Sequence, residues 1–387
     1  MSVTAPAGFV AAGVSAGFRR SAKDLAVVRS TLPATGAALF TVNRVQAAPV
    51  IVSRAHLQAA EPQAVVVNSG SANAATGPRG ELDAIATAAE AGRLLDLRAE
   101  QVQVMSTGVI GVRLPLDRML SGLAKATATL SPDGGQAAAE AIMTTDTTPK
   151  EATVKRDGFT VGGMAKGAGM IHPVLATMLA VVTTDYPLGP GQTDAFLKPA
   201  VGESFNRISV DGECSTNDTV LMLANGASGV RRTPELDASF AAAVTEVCCD
   251  LASKIVADGE GATVLLEIDV NGAVSDCEAQ AIARRVATSP LVKTAAFGRD
   301  PNWGRVLAAA GSATSNGGFA QLDPERVSLA FNGTTVYANG APLVAQPDLS
   351  GASCRISLQL GLGDGHAGYL ASDLTYDYVR INAEYTT

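Results

Sequence analysis

FTVGGMAKGAGMIHPVLATMLAVVTTD, residues 159–185, combines four glycines, a His-Pro step and an apolar run that starts directly after Ala176-Thr177. Gly162, Gly163, Gly167 and Gly169 carry no side chain and let a backbone bend sharply, while Pro173 biases His172 towards an extended conformation. The pattern predicts a loop able to expose one peptide bond before the chain enters a buried strand, with Thr177 at the junction. On this stretch alone Thr177 reads as an ordinary strand residue. A phosphate cradle is not indicated: Walker A spacing and a GxGxxG between strand and helix are both missing, and Lys166 has no Ser or Thr neighbour to hold Mg²⁺.

A hydroxyl at such a junction has one chemistry that needs no second side chain. Attack of the Thr177 hydroxyl on the Ala176 carbonyl would replace the amide by an ester, and hydrolysis would leave Thr177 with a free α-amine. An α-amine has a pKa near ~8, so a neutral fraction can accept the hydroxyl proton, and nucleophile and base then reside in one residue.

The surrounding sequence has α/β texture. AVVVNSG at 64–70 and QVQVMSTG at 101–108 read as strands, and 81–97 and 115–130 read as helices. A long helix is predicted from Pro234, followed by a strand in ATVLLEIDVNG and a helix through EAQAIARRVA. Beyond Val327 the pattern becomes alternating strands, with tight hairpins at Asn332-Gly333 and Asn339-Gly340.

A chain of 387 residues can bury a sizeable core in two lobes. The net charge of −8 and the lack of a basic run argue against a nucleic-acid partner. The N-terminus has no signal-peptide pattern and no stretch approaches the length of a membrane span, which points to the cytoplasm. Five cysteines without CxxC spacing read as reduced core residues. His56, His172 and His366 are scattered without a metal-binding spacing, so no metal is assigned.

KGAGMIHPVLATMLAVVTTD resembles the cleavage-site motif of the ornithine acetyltransferases, the glutamate N-acetyltransferases of arginine biosynthesis (the ArgJ family). Further signatures of that family follow in order: VNSGSANAATG at 67–77, STGVIG at 106–111, AIMTTDT at 141–147, DGECSTNDT at 211–219 and VKTAAFGRDPNWGRVLAAAG at 292–311. The resemblance implies a layered α/β/β/α sandwich. It also implies self-cleavage between Ala176 and Thr177 into an alpha chain, 1–176, and a beta chain, 177–387, assembled as a heterotetramer of two of each.

By the same resemblance Thr177 is the nucleophile, and Thr107 and Gly108 donate hydrogen bonds to the oxyanion. Thr144, Lys166, Thr177, Glu260, Asn382 and Thr387 bind substrate. Lys166 suits a substrate carboxylate and Glu260 a substrate ammonium. Binding residues at 382 and 387 require the C-terminal tail to fold back. The implied reaction moves acetyl from N2-acetyl-L-ornithine to L-glutamate by a ping-pong route without an organic cofactor, and some family members also accept acetyl-CoA. A self-cleaving amidase or aminopeptidase, and a non-catalytic small-molecule-binding protein, are the competing readings. Val174-Leu175 departs from the family's usual Asn-Met beside the cut. The stretch from Asp300 to Arg305 reads as a turn before a helix, with no catalytic role assigned.

Overall fold

LAVVTT at Leu179–Thr184 and TVLMLA at Thr219–Ala224 are largely apolar without alternation, and every residue of both strands is buried. Strands of this kind need cover on both faces. The computed structural model, which describes residues 2–172 and 178–384, provides that cover by stacking two sheets.

The first ten strands are β1 Phe9–Val14, β2 Leu25–Ser30, β3 Thr35–Phe40, β4 Ala64–Ser71, β5 Val102–Val109, β6 Lys150–Arg156, β7 Phe159–Lys166, β8 Leu179–Thr184, β9 Ile208–Ser209 and β10 Thr219–Ala224. The first six helices are α1 Ala48–Ala59, α2 Gly77–Leu95, α3 Leu116–Ala128, α4 Gly135–Ala141, α5 Asp194–Glu203 and α6 Pro234–Ala257. The described residues divide into two units, one drawn from 2–206 and 213–255, the other from 207–212 and 256–384.

In the first unit one sheet has the order β1-β2-β4-β5 and the other β3-β10-β8-β7-β6. Their inner faces share a core in which Val28, Val65, Val67 and Met105 of one sheet meet Met164, Leu179, Val181, Leu221 and Leu223 of the other. The opposite face of the first sheet, with Val27, Val66 and Val104, packs under α1, α2 and α3 through Val52, Ala88, Ala91 and Leu123. α6 covers the second sheet: Phe240 stacks on Tyr186, and Val247 and Leu251 lie over Gly163. The result is the expected α/β/β/α layering.

Two of the loop glycines have a different role from the one predicted. Gly162 and Gly163 sit within β7 and pair regularly with β6 and β8, so they bend nothing. They instead allow close approach. A Cβ on Gly162 would stand 2.2 Å from the Ser2 carbonyl oxygen, and one on Gly163 would stand 3.0 Å from Leu251.

The second unit adds β11 Leu265–Ala273, β12 Thr314–Ser315, β13 Gly318–Phe319, β14 Ser328–Phe331, β15 Thr334–Ala338, β16 Ala341–Pro342, β17 Ser353–Gln359 and β18 Gly365–Ser372. Its helices are α7 Asp276–Ala287, α8 Pro290–Phe297, α9 Trp303–Gly311 and α10 Tyr376–Glu384. A seven-stranded sheet runs β16-β15-β14-β17-β11-β18-β9. In β11, Leu266, Ile268 and Val270 point into a core shared with Ile282 and Val286 of α7, while Glu267 and Asp269 alternate outward to Arg355. Both hairpins form where predicted, with positive φ at Asn332, Gly333, Asn339 and Gly340. Asn302 caps α9 by accepting the Arg305 N–H at 3.1 Å, which gives the stretch from Asp300 to Arg305 the structural role expected of it.

The cysteine expectation needs correction. Cys248 and Cys354 are buried, but Cys249 and Cys277 are exposed and Cys214 is half-buried. Among the described residues no helix is long and apolar enough to cross a membrane.

The contact at Gly162 yields a stability prediction. Gly162→Ala forces β7 away from the Ser2 backbone and lowers the unfolding free energy by about 1–3 kcal/mol, measurable by urea denaturation.

Candidate active site

β4 and β5 run parallel from Ala64 opposite Val102 to Gly70 opposite Gly108, and the register slips at Ser71, which faces both Thr107 and Val109. Gly108 has φ +130° and Gly70 φ +104°, conformations that favour glycine. A Cβ on Gly108 would lie 2.4 Å from the Gly70 carbonyl carbon. No other residue fits at 108 without separating the strands.

The turn is held by amides from neighbouring signatures. The Ser106 hydroxyl donates to Asn68 Oδ1 at 2.6 Å, and Asn68 Nδ2 donates to the Ser71 carbonyl at 2.9 Å. Asn217 Nδ2 donates to the carbonyls of Ala72 (2.6 Å) and Ser106 (2.8 Å). Thr107, the next residue, thus leaves a strand end fixed on both sides.

Lys166 ends β7 and is buried. Its Nζ approaches Thr107 Oγ1 at 3.5 Å, which brings together two predicted site residues from separate sheets. Thr144 belongs to the same group through Asp146. Asp146 Oδ2 accepts the Thr144 N–H at 2.9 Å, and Oδ1 accepts both Lys150 Nζ and the Gly167 N–H at 2.7 Å. One carboxylate therefore stitches the segment carrying Thr144 to the residue after Lys166. Arg19 supports this segment from behind, donating to the carbonyls of Met143 (2.8 Å) and Thr144 (3.1 Å).

Both side chains of the Asp146–Lys150 pair are buried. Burial by itself would raise the Asp146 pKa, but the charges of Lys166 and Lys150 and the hydrogen bonds to the carboxylate hold it at about 2. At Asp218 burial outweighs the Lys166 charge and the hydrogen bonds from Met178 and Ser215. Its Oδ1 accepts the Met178 N–H at 3.0 Å, yet burial pushes the carboxyl well above the usual range.

In the second unit Asn382 Nδ2 donates to Glu260 Oε2 at 2.9 Å. Glu260 lies in the turn after α6, and at Gly261 (φ +67°) a Cβ would come 2.5 Å from the Tyr378 N of α10. The tail folds back as α10 on this turn and joins two of the predicted binding residues. Ala176, Thr177 and Thr387 lie outside the described residues. Among the described residues no three His, Cys, Asp or Glu side chains are grouped to hold a metal ion.

A model of the ArgJ family matches residues 10–387. The chain belongs to the ArgJ family. Among proteins of known name it is similar to the "arginine biosynthesis bifunctional protein ArgJ" of Mycolicibacterium paratuberculosis, at 49% identity over all of this chain and 96% of the relative. It is also similar to the protein of that name from Streptomyces coelicolor, at 48% identity over the full length of both. Among solved structures, one of ornithine acetyltransferase complexed with ornithine from Mycobacterium tuberculosis is 47% identical. It covers 45% of this chain and 96% of that one, with a TM-score of 0.44.

Reasoning from the sequence missed the supports around the ArgJ motifs: Arg19, Asn68, Asp146, Lys150, Asn217 and Asp218. Asn68, Asp146, Asn217 and Asp218 lie inside signatures already singled out, and an acid or amide within a family signature was the available signal. Arg19 had none.

Asp146 has a folded pKa below its unfolded value, so its contribution is present above about pH 4 and is lost as pH falls through about 2. The shift corresponds to about 2 kcal/mol. The stability difference between wild type and Asp146→Asn, from urea unfolding, therefore stays level from pH 7 to about 4 and shrinks below that.

Proposed function

We infer that this chain transfers the acetyl group of N2-acetyl-L-ornithine to L-glutamate, releasing L-ornithine and N-acetyl-L-glutamate, with Thr177 as the acyl carrier. The observation that carries the reading is the approach of Lys166 Nζ to Thr107 Oγ1 at 3.5 Å. It sets a buried cation, suited to a substrate carboxylate, beside the strand end proposed to receive the oxyanion. Membership of the ArgJ family, with relatives named for arginine biosynthesis and for bifunctionality at 48–49% identity, supports the same reading.

The chemistry begins with the protein's own chain. The Thr177 Oγ attacks the Ala176 carbonyl carbon, the C–N bond breaks, and water hydrolyses the ester. The precursor becomes 1–176 and 177–387, and Thr177 gains an α-amine. In the transfer reaction that amine takes the Oγ proton as Oγ attacks the acetyl carbonyl of acetylornithine. Negative charge develops on the acetyl oxygen, where Thr107 and Gly108 donate. Donors fixed beforehand stabilise the tetrahedral state without reorganising, which is why a rigid, amide-tied β5 end suits the role.

The C–N bond to ornithine then breaks, and the proton on the Thr177 amine passes to the departing nitrogen. An acetyl ester remains on Thr177 Oγ. Glutamate enters, its amine attacks the ester, and the same steps run in reverse. An amide is consumed and an amide is made, so the exchange is nearly balanced and calls for no organic cofactor. Acetyl-CoA can acylate the same Oγ as a second donor. Glu260 receives the ammonium end of the substrate, and Thr144, Asn382 and Thr387 are further substrate-binding residues that the family resemblance implies. The working enzyme is cytoplasmic and pairs two alpha with two beta chains.

Thr177→Ala should stay a single chain without transferase activity, whereas wild type gives two chains, the larger beginning at Thr177, by intact mass and N-terminal sequencing. Wild type incubated with acetylornithine alone should carry one acetyl group on the larger chain. A folded wild type that remains whole contradicts the mechanism. Thr107→Val should lower kcat by about 10²–10³-fold, with parallel double-reciprocal lines retained.

A further inference from the structure

Asn217 and Asp218 are adjacent and buried, and they reach in two directions. Through its Nδ2, Asn217 holds the carbonyls of Ala72 and Ser106, and Ser106 directly precedes Thr107. Asn217 Oδ1 is itself fixed, accepting the Thr216 hydroxyl at 2.6 Å. Asp218 Oδ1 accepts the Met178 N–H, which belongs to the peptide bond linking residues 177 and 178. The Met178 carbonyl in turn accepts the Thr219 N–H at 3.2 Å, so the main chain of Met178 is held on both sides by residues 218 and 219.

Ser215 and the charge of Lys166 also face the Asp218 carboxyl, so the pair sits where β10 meets the elements carrying Thr107 and Lys166.

We propose that the Asn217-Asp218 pair is a positioning element that fixes the spacing between the nucleophile and the oxyanion donors, Asp218 by holding the amide that follows Thr177 and Asn217 by holding the carbonyl that precedes Thr107. The proposal rests on the reading of Thr177 as nucleophile. The two anchors are consecutive residues entering β10, so their separation is set by one peptide unit. Displacement of either reacting partner by about 1 Å costs on the order of 100-fold in rate, which is the scale of effect the pair controls.

The experiment measures self-cleavage by intact mass, and kcat and KM for acetylornithine per cut chain, in wild type, Asp218→Ala, Asp218→Asn, Asn217→Asp and Thr177→Ala. Asp218→Ala should lose on the order of 100-fold in kcat with KM little changed. Asp218→Asn, which keeps an acceptor oxygen towards Met178, should restore most of that loss. Wild-type kcat in Asp218→Ala, a loss confined to KM, or a failure of Asn to restore kcat would each overturn the proposal. If Asp218→Ala does not fold by circular dichroism, Asn217→Asp reads the other end of the link: it replaces the donor to Ser106 with an acceptor and must lower kcat comparably, and an unchanged kcat overturns the proposal. Thr177→Ala separates the two ideas. An uncut, inactive Thr177→Ala beside a normal Asp218→Ala removes the positioning role alone, and a cut, active Thr177→Ala removes the nucleophile assignment.

Discussion

Two strands of the first unit meet backbone to backbone at Gly70 and Gly108, and the space for a single Cβ there is missing. This contact is the constraint on which the site depends. It lets the β4–β5 ladder slip by one residue at Ser71, and so turns the strand end carrying Thr107 and Gly108 out of regular pairing. A slip of that kind is normally a loose point in a sheet. Here amide side chains from β4 and from the segment just before β10 take up the Ser71, Ala72 and Ser106 carbonyls and hold the irregular backbone in place.

Charge is arranged around that backbone with the same economy of space. Lys150 and Lys166 are both buried, and one carboxylate, Asp146, faces both while accepting two main-chain N–H groups. A buried ion pair rarely adds net stability over an apolar packing of the same volume, because the desolvation of both ions offsets their attraction. Its persistence at this position is therefore better explained by the local field it gives Lys166 and by the link it makes between Thr144 and Gly167 than by stability.

The local rules were legible in the sequence. Pro234 starts α6, Asn-Gly pairs form the β14–β15 and β15–β16 turns, and the apolar run after Thr177 is a strand, buried throughout at 179–184. What periodicity could not give was pairing. β3 joins β10, from far along the chain, and no pattern within 35–40 encodes that neighbour. The same limit applied to the site: the motif resemblance named Thr107, Thr144 and Lys166, but the Asp146 link among them depends on long-range geometry. The glycines of β7 were misread for a related reason, since a residue chosen for absent volume and one chosen for unusual φ look alike until the neighbouring surface is known.

β7 and β8 are neighbours in one sheet, paired from Val161 opposite Thr184 to Lys166 opposite Leu179. The connection between them therefore begins and ends at one rung of the same ladder. Breaking it removes none of the six pairs, and β7 and β8 stay paired in a sheet shared with β6 and β10. Such a nick is silent in the native state and consequential only in the denatured one: two fragments must then find each other, so recovery becomes second order and falls with dilution. A chain cut there would be easy to keep folded and hard to refold, with a lifetime governed by how rarely it opens.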